Sequence, residues 1–587
     1  MEIERLEEYK AIPYGVTDYA SVRTTNCFYV DKTAYLAKLE RADRFIFFIR
    51  PRRFGKSLLL SMMQWYYDLA AKDRFQELFG DLYVGAHPTP LHNSYLVLSL
   101  NLTMVSGDSN TYQKALNQHC AAKISLFCAR YKNILPEDTL EAVKACEGAT
   151  AQLEMLCVKT AEVEQHIYLF VDEYDHFTND ILSDSNRLND YEKETHGEGC
   201  LRSFFNAIKA NTSGVIERCF ITGVSPITLD DLTSGFNIAA NHTTTPQFNG
   251  MVGFTEQEVR SLLDYYAQST GVFKHSTDEL ISVMAPCYDH YCFSKQMYNK
   301  ETVYNSDMVL YFLKHYIQFN GEFPEEMIDN NIRTDYDKLR MLIHKDGEMR
   351  TDTSIIETIL EQNGICSSIK TSFPARSLTN KSNFVSLLFY FGMLTIGGIS
   401  EEEDPILIIP NHVVREQMYK ALLDFYEEEE LTQESITRTT LEKGLAFRNE
   451  WETYFRYIAE CLQNFSSTRD RGKGEPMVHG FTFAMTCINP YYNATSKVDT
   501  NGGYADIFLR PRIEVFKNMK HSYVIELKYV KLCDSEATIA KRTREATEQV
   551  TAYATSKNAK ELSEGTVLHK LVIVFHGFDM VVCKEVE

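Results

Sequence analysis

Phe45-Ile-Phe-Phe-Ile-Arg-Pro-Arg-Arg-Phe-Gly-Lys-Ser57, running on into Leu58-Leu-Leu-Ser-Met-Met63, decides the fold. An apolar strand, a short loop, Gly-Lys-Ser and a helix follow in that order, which is the layout of a phosphate-binding P-loop. Backbone N–H groups at a helix N-terminus point at an anion, and the helix dipole favours negative charge there. Lys56 is placed to reach outer phosphates and the Ser57 hydroxyl to sit on Mg²⁺. Arg53, Phe54 and Gly55 complete the expected cradle. One departure is plain: the usual pattern begins with glycine, and here that position is Arg50.

Two more strands fit the same sheet. His166-Ile-Tyr-Leu-Phe-Val171 is a short apolar run of the kind buried in parallel sheets, and it ends in Asp172-Glu173. An acid at that strand end holds Mg²⁺ through water, and a second polarises the attacking water. Asp172 suits the first role and Glu173 the second; the same pair would also serve as a helix N-cap. Arg218-Cys-Phe-Ile-Thr222 leads into Gly-Val-Ser225, and Thr222 is placed to sense a γ-phosphate. Strands are expected at Phe45–Ile49, Ser94–Asn101, Ile167–Val171 and Arg218–Thr222. Helices are expected at Lys56–Ala71 and Thr111–Tyr131. Such alternation predicts a parallel α/β sheet.

Working outward, Thr233–Ala240 is turn-rich, and Thr255 with Glu258 spells a capping box opening a helix. Residues 256–370 read as mainly helical, Asp307–Tyr316 among them, which suits a lid or small bundle. Phe384–Phe391 reads as a helix, Gly392–Ile396 and Pro405–Ile409 as a hairpin, and Val413–Glu427 as another helix. That order resembles a winged-helix module.

The last 140 or so residues carry a second signal. Gly502-Gly-Tyr-Ala-Asp-Ile-Phe-Leu-Arg510 reads as a strand bearing Asp506, and His521–Val530 as a strand bearing Glu526 and Lys528. Residues two apart on a strand share a face. An antiparallel pairing would bring Asp506 beside Glu526. With the Leu527 carbonyl they make an all-oxygen site suited to Mg²⁺ or Mn²⁺, and Lys528 would stabilise charge on a phosphodiester. The next helix carries Gln549 and Tyr553 on one face, and strands follow at His569–Phe575 and Met580–Cys583. An exposed Glu/Lys pair on an edge strand would look the same in isolation.

Composition bounds the function. At 587 residues the chain has room for two to four domains. Its 44% hydrophobic and 24% charged content is that of an ordinary globular protein. No run of eighteen apolar residues occurs, and Met1–Lys10 is too charged for a signal peptide. The expectation is an intracellular protein, cytoplasmic or, in a eukaryote, nuclear. Fourteen cysteines, with no Cys-x-x-Cys pair, read as buried thiols rather than a disulfide framework or a zinc site. The net charge of −21 disfavours generic nucleic-acid binding. Glu401–Asp404 and Glu427–Glu430 carry local acid, read as a solvated loop and a helix end. From Arg510 to Lys531 the balance turns basic: Arg510, Arg512, Lys517, Lys520, Lys528 and Lys531 stand against Glu514 and Glu526.

Taken together these strings resemble the AAA-ATPase-like proteins joined to a C-terminal PD-(D/E)XK nuclease-superfamily domain. The resemblance rests on Ile12-Pro-Tyr-Gly15, Tyr29-Val-Asp-Lys-Thr33, Arg50–Ser57, Val171-Asp-Glu-Tyr-Asp175, Thr222-Gly-Val-Ser225, Gly253-Phe-Thr255, Pro410-Asn411 and the Asp506/Glu526/Lys528 set. It implies an α/β chain in three parts. These are an AAA-ATPase-like P-loop domain at 1–265, a helical lid and winged-helix-like region at 266–435, and a restriction-endonuclease-like domain at 436–587. It implies ATP and Mg²⁺ as cofactors, with Mn²⁺ an alternative at the nuclease site. DNA or RNA is the implied partner of the C-terminal domain, no membrane is, and a homo-oligomer is left open. The family shares the degenerate P-loop. It commonly has Gly-Arg before the Asp-bearing segment, where this chain has Gly503-Tyr504. Asp499 and Glu475 are alternative choices for its upstream acid. The competing readings are an ATPase coupled to a metal-dependent nuclease and a nucleotide-dependent scaffold or nucleic-acid-binding protein with an inactive nuclease core.

Overall fold

The computed structural model describes residues 9–105, 111–176, 199–227, 238–329, 344–345, 348–349, 354–362, 364–374, 377–378, 380–427, 435–466, 474–499 and 504–587. The chain forms two compact units. The described residues up to Gly321, with Gly364–Asn411, make the first; those from His412 onward make most of the second.

The first unit is built on β1 (Phe45–Ile49), β2 (Leu96–Asn101), β3 (Ile167–Asp172), β4 (Ile216–Gly223) and β5 (Ala240–Asn241). Their order is β2-β3-β4-β1-β5 and every pairing is parallel. The strands are apolar runs because both sheet faces are covered by helices; every residue of β3 is buried. The four strands expected from the sequence are present: β1 has the expected bounds, β2 starts two residues later, and β3 and β4 are longer. The helix expected from Lys56 to Ala71 stops at Tyr67 and passes into a 3₁₀ segment, Leu69–Arg74, where the Asp68 side chain accepts from the Ala70 N–H. Part of the turn-rich stretch before β5 lies outside the described residues.

Helices Glu256–Thr270, Thr277–Tyr288 and Ser306–Gln318 follow. The Thr255/Glu258 capping box is formed, and Ser276 with Glu279 makes a second. Glu258 also anchors the N-terminal arm, since buried Lys32 donates to its carboxylate at 2.7 Å and to the Gly250 carbonyl at 2.9 Å. A two-residue pair, β6 (His344–Lys345) and β7 (Glu348–Met349), precedes β8 (Ile365–Cys366). With helix Lys381–Tyr390 come β9 (Thr395–Ile399) and β10 (Pro405–Ile408), joined as the expected hairpin, and the antiparallel order is β8-β10-β9. Helix His412–Glu427 follows in chain order, and the residues after Glu427 in the second acidic run lie outside the described ones.

The second unit contains a five-stranded sheet in chain order: β11 (Tyr492–Asp499), β12 (Tyr504–Pro511), β13 (His521–Val530), β14 (Val567–His576) and β15 (Asp579–Glu585). Only β13 and β14 run parallel, and helix Glu536–Ala554 makes their crossover. Helix Gly474–Cys487 precedes the sheet. Helix, three antiparallel strands, helix and a parallel strand form a restriction-endonuclease-like α/β core. Val524, Val572 and Val574 of the sheet form one core cluster with Val550 of the crossover helix.

Candidate functional site

Neighbouring strands β3, β4 and β1 end side by side at the carboxyl edge of the parallel sheet, where ligands bind in open α/β folds. Gly55 N-caps helix Lys56–Tyr67 with φ +88° and supplies no side-chain cap, which suits the helix's first N–H groups to an anion. Arg53, two residues earlier, also has a positive φ, +67°. Buried Lys56 donates to the Pro51 carbonyl at 2.9 Å. Burial pulls its pKa down, and Glu173 and Asp172 oppose that pull.

The Ser57 hydroxyl donates to Asp172 Oδ2 at 3.0 Å, across 115 positions of sequence. Burial, then Glu173, pushes the Asp172 carboxyl up to about 6, against Lys56 and the Ser57 bond. A buried carboxylate beside a half-buried hydroxyl is an all-oxygen donor set that fits Mg²⁺. Glu173 has φ +52° and its N–H bonds Asp172 Oδ1 at 3.0 Å. A non-glycine residue in the left-handed region at a strand end stores strain of the kind found at functional sites.

Two more polar side chains tie this end of the sheet together. The Thr222 hydroxyl, fully buried, donates to the Phe48 carbonyl at 2.7 Å and so links β4 to β1. Asp175 accepts from the Val224 and Ser225 N–H groups. It does so over Gly223, where a Cβ would stand 2.3 Å from Asp175 Oδ1.

Arg50, the departure from the loop pattern, is fully buried. Its guanidinium donates to the Ile49, Thr243 and Phe248 carbonyls and lies over the Phe48 and Phe293 rings at 4.4 and 4.3 Å. Burial pushes it down to about 9, so it stays charged at neutral pH. Phe54 is buried edge-on against Tyr291 and Phe293, and its carbonyl receives the Gly253 N–H at 2.8 Å. Gly392, at φ +76°, lies so close that a Cβ would meet Pro51 at 2.8 Å. Thr243, Phe248, Gly253, Tyr291, Phe293 and Gly392 all lie far from the loop in sequence, so no spacing announces them.

In the second unit, the pairing of β12 with β13 runs to Ile507 opposite Ile525, and Asp506 and Glu526 lie one position beyond. Asp506 Oδ2 accepts from the Leu527 N–H at 2.9 Å. Glu526 is buried, with Oε1 bonded to Lys528 Nζ. Its Oε2 is buried with no partner among the described residues. Burial, then Asp506, lifts Glu526 to about 7, while Lys528 pulls the other way. An orphaned carboxylate oxygen beside a second carboxylate fits a divalent cation. Tyr553 lies close enough that both carboxylates raise its phenol, after burial, and Gln549 Oε1 is buried without a partner. Glu475 is exposed, and the Asp499 side chain lies outside the described residues. Among the described residues no group of three or more metal-ligating side chains forms.

Three cations of the basic stretch are in ion pairs. Arg510 pairs with Glu514, Lys517 with Glu322 at 3.5 Å, and Lys528 with Glu526. Arg512 donates to the Pro490 carbonyl at 2.8 Å. No helix among the described residues is long and apolar enough to cross a membrane.

Comparison with known proteins places the two sites in two families. Residues 13–233 match the family described as a predicted AAA-ATPase, and residues 473–585 match the PD-(D/E)XK nuclease superfamily. A curated relative, an uncharacterized protein from the vnfD 5′ region of Azotobacter chroococcum, is 24% identical over 420 residues, 70% of each chain. Two solved structures are also similar. The Aeropyrum pernix ORC2 protein, in ADPNP–ADP complexes, has 11% identity over 71% of this chain and 97% of that one (TM-score 0.32). Cdc6p from Pyrobaculum aerophilum has 13% identity over 65% and 88% (TM-score 0.24).

Proposed function

We propose that this chain, which joins an AAA-ATPase-like domain to a PD-(D/E)XK nuclease-superfamily domain, binds and hydrolyses ATP and cleaves phosphodiesters in DNA or RNA. The observation that carries the ATP reading is the Ser57–Asp172 bond beside buried Lys56 at the uncapped helix start. Arg53, Phe54 and Gly55 supply the turn of the cradle, and Lys56 neutralises outer phosphates. Mg²⁺, held by Ser57 and through water by Asp172, would draw charge from the phosphates. Glu173 orients the attacking water and takes its proton. Glu173→Gln should keep nucleotide binding and slow hydrolysis by roughly 10²–10⁴-fold. Lys56→Ala should weaken binding itself, and hydrolysis unchanged in both would sink the assignment.

For the C-terminal site, the supporting observation is the partnerless Glu526 Oε2 beside Asp506. Asp506, Glu526 and the Leu527 carbonyl would hold Mg²⁺ or Mn²⁺, which would polarise the phosphodiester. Lys528 then leaves Glu526 and faces the developing negative charge. Cutting of DNA or RNA by the parent with Mn²⁺, lost in Asp506→Ala prepared identically, is the test. The second reading is a nucleotide-dependent scaffold or nucleic-acid-binding protein with an inactive nuclease core. It draws support from Tyr504 standing where the family commonly has Arg, and from the pairing of Lys528 with Glu526. Cutting that is absent from both proteins, or equal in both, would favour it.

A further inference from the structure

Two imidazoles and a carboxylate line up across three strands of the C-terminal sheet. His521 opens β13, His569 lies in β14 and Glu585 closes β15. His569 Nδ1 stands 2.6 Å from Glu585 Oε1, and His569 Nε2 stands 2.9 Å from His521 Nδ1. A carboxylate oxygen only accepts, so Glu585 keeps the His569 proton on Nδ1 and leaves the Nε2 lone pair facing His521. The His569 ring is buried and stacked on Tyr523 at 5.1 Å and 26°. The Tyr523 hydroxyl is anchored in turn, 3.0 Å from the Leu445 carbonyl and 2.9 Å from Asn449 Oδ1. His521 is half-buried, which leaves an approach from solvent. Burial, then His569 and Lys520, lower its pKa against the pull of Glu585, so its ring is neutral at pH 7. Successive residues of a strand alternate faces, so His521, five before Glu526, projects away from the proposed nuclease site.

We propose that His521 Nδ1 and His569 Nε2 chelate a transition-metal ion of tetragonal preference, Ni²⁺ or Cu²⁺, with water completing its coordination. Two nitrogens about 2.0–2.1 Å from one metal stand about 2.9 Å apart when they meet it at a right angle. The two rings already have that spacing. A tetrahedral metal would need them about 3.3 Å apart. Binding displaces the one proton the rings share: it leaves His521 Nδ1 and His521 takes up a proton at Nε2, so no net charge is released. Glu585 stays on the His569 Nδ1–H, the kind of partner that fixes the tautomer of a ligating imidazole and raises its basicity. The ion pins the start of β13 to β14, and Glu585 extends that tie to the last strand.

The test titrates the full chain, its thiols kept reduced and Mg²⁺ in excess, with Ni²⁺ against a chromophoric chelator. His521→Phe keeps a ring and removes a ligand. Its Ni²⁺ affinity should fall by more than the roughly 10–100-fold that loss of an outer-shell partner costs. Glu585→Gln still accepts from Nδ1–H but carries no charge, and should cost about tenfold or less. Asp506→Ala should leave the affinity unchanged, which separates this site from the nuclease reading. In the parent, Ni²⁺ should shield His521 from diethyl pyrocarbonate and Mg²⁺ should not, read by mass spectrometry, so the outcome does not hang on how a variant folds. Ni²⁺ affinity unmoved by His521→Phe, or His521 modified equally fast with and without Ni²⁺, overturns the proposal and leaves the two rings a plain hydrogen bond. Affinity lost equally in Asp506→Ala overturns it too, since the ion then sits at the carboxylates.

Discussion

Replacing Glu526 by Gln should stabilise the metal-free protein at pH 8 and do nothing of the kind at pH 5.5. The buried carboxyl sits at about 7 against an ordinary value of 4.5. A carboxylate whose pKa is raised by folding removes stability as pH climbs from the unfolded to the folded value, because the unfolded chain releases its proton first. At about 1.4 kcal/mol per tenfold, the gap puts up to ~3 kcal/mol on the ionised form. Glutamine relieves that charge, but Lys528, 21% exposed, then loses its counter-charge. A net gain of about 1–2 kcal/mol at pH 8 is expected. Mn²⁺ reverses the ranking, since only the carboxylate binds it. Its affinity for the parent should fall roughly 30-fold between pH 8 and pH 5.5 as the carboxylate takes up its proton. Thermal melts of both proteins at the two pH values, in EDTA and in Mn²⁺, measure all of this. A glutamine variant less stable than the parent by the same margin at both pH values would refute the reasoning.

Glu173→Gly should raise stability by up to ~1 kcal/mol, because φ +52° suits glycine, while hydrolysis collapses; a melt paired with a phosphate-release assay decides it. Gly392→Ala meets both a positive φ and Pro51 at 2.8 Å, so it should destabilise by about 1–3 kcal/mol and weaken ATP binding, read by denaturation and titration. Arg50→Lys should not substitute for arginine, since an ammonium cannot reach three carbonyls while stacking on two rings; a loss of about 2–4 kcal/mol is expected by urea denaturation.

The parts of this chain that were legible are those whose physics is local. Strands β1 to β4 are apolar because both their faces are covered, and Thr255 with Glu258 caps its helix within four residues. The hairpin of β9 and β10 announces itself by apolar runs around a polar turn. β5 has only two residues, and β11 reads Tyr-Asn-Ala-Thr-Ser-Lys-Val-Asp, too polar to stand out. The Asp172, Asp506 and Glu526 positions follow from strand ends and register. The bond from Thr222 to the Phe48 carbonyl is not legible, because a strand-end hydroxyl looks alike in sequence whether it faces a ligand or a neighbouring carbonyl. Two acid partners of the basic run, Glu514 and Glu526, are visible inside the same stretch, whereas the third, Glu322, lies far away in sequence and is not.

The neighbours of the phosphate loop bear on how the chain can be cut. The first family match ends at residue 233, yet Arg50 is held by Thr243 and Phe248, Phe54 by Gly253, Tyr291 and Phe293, and Pro51 abuts Gly392. A truncated protein stopping near 233 would keep every residue of the motif and lose the walls that shape it. It would expose a bare cation and aromatic surface to water, and should come out of expression insoluble. One carried through Asn411 would retain those walls, which makes 411 rather than 233 the first sensible place to divide the molecule.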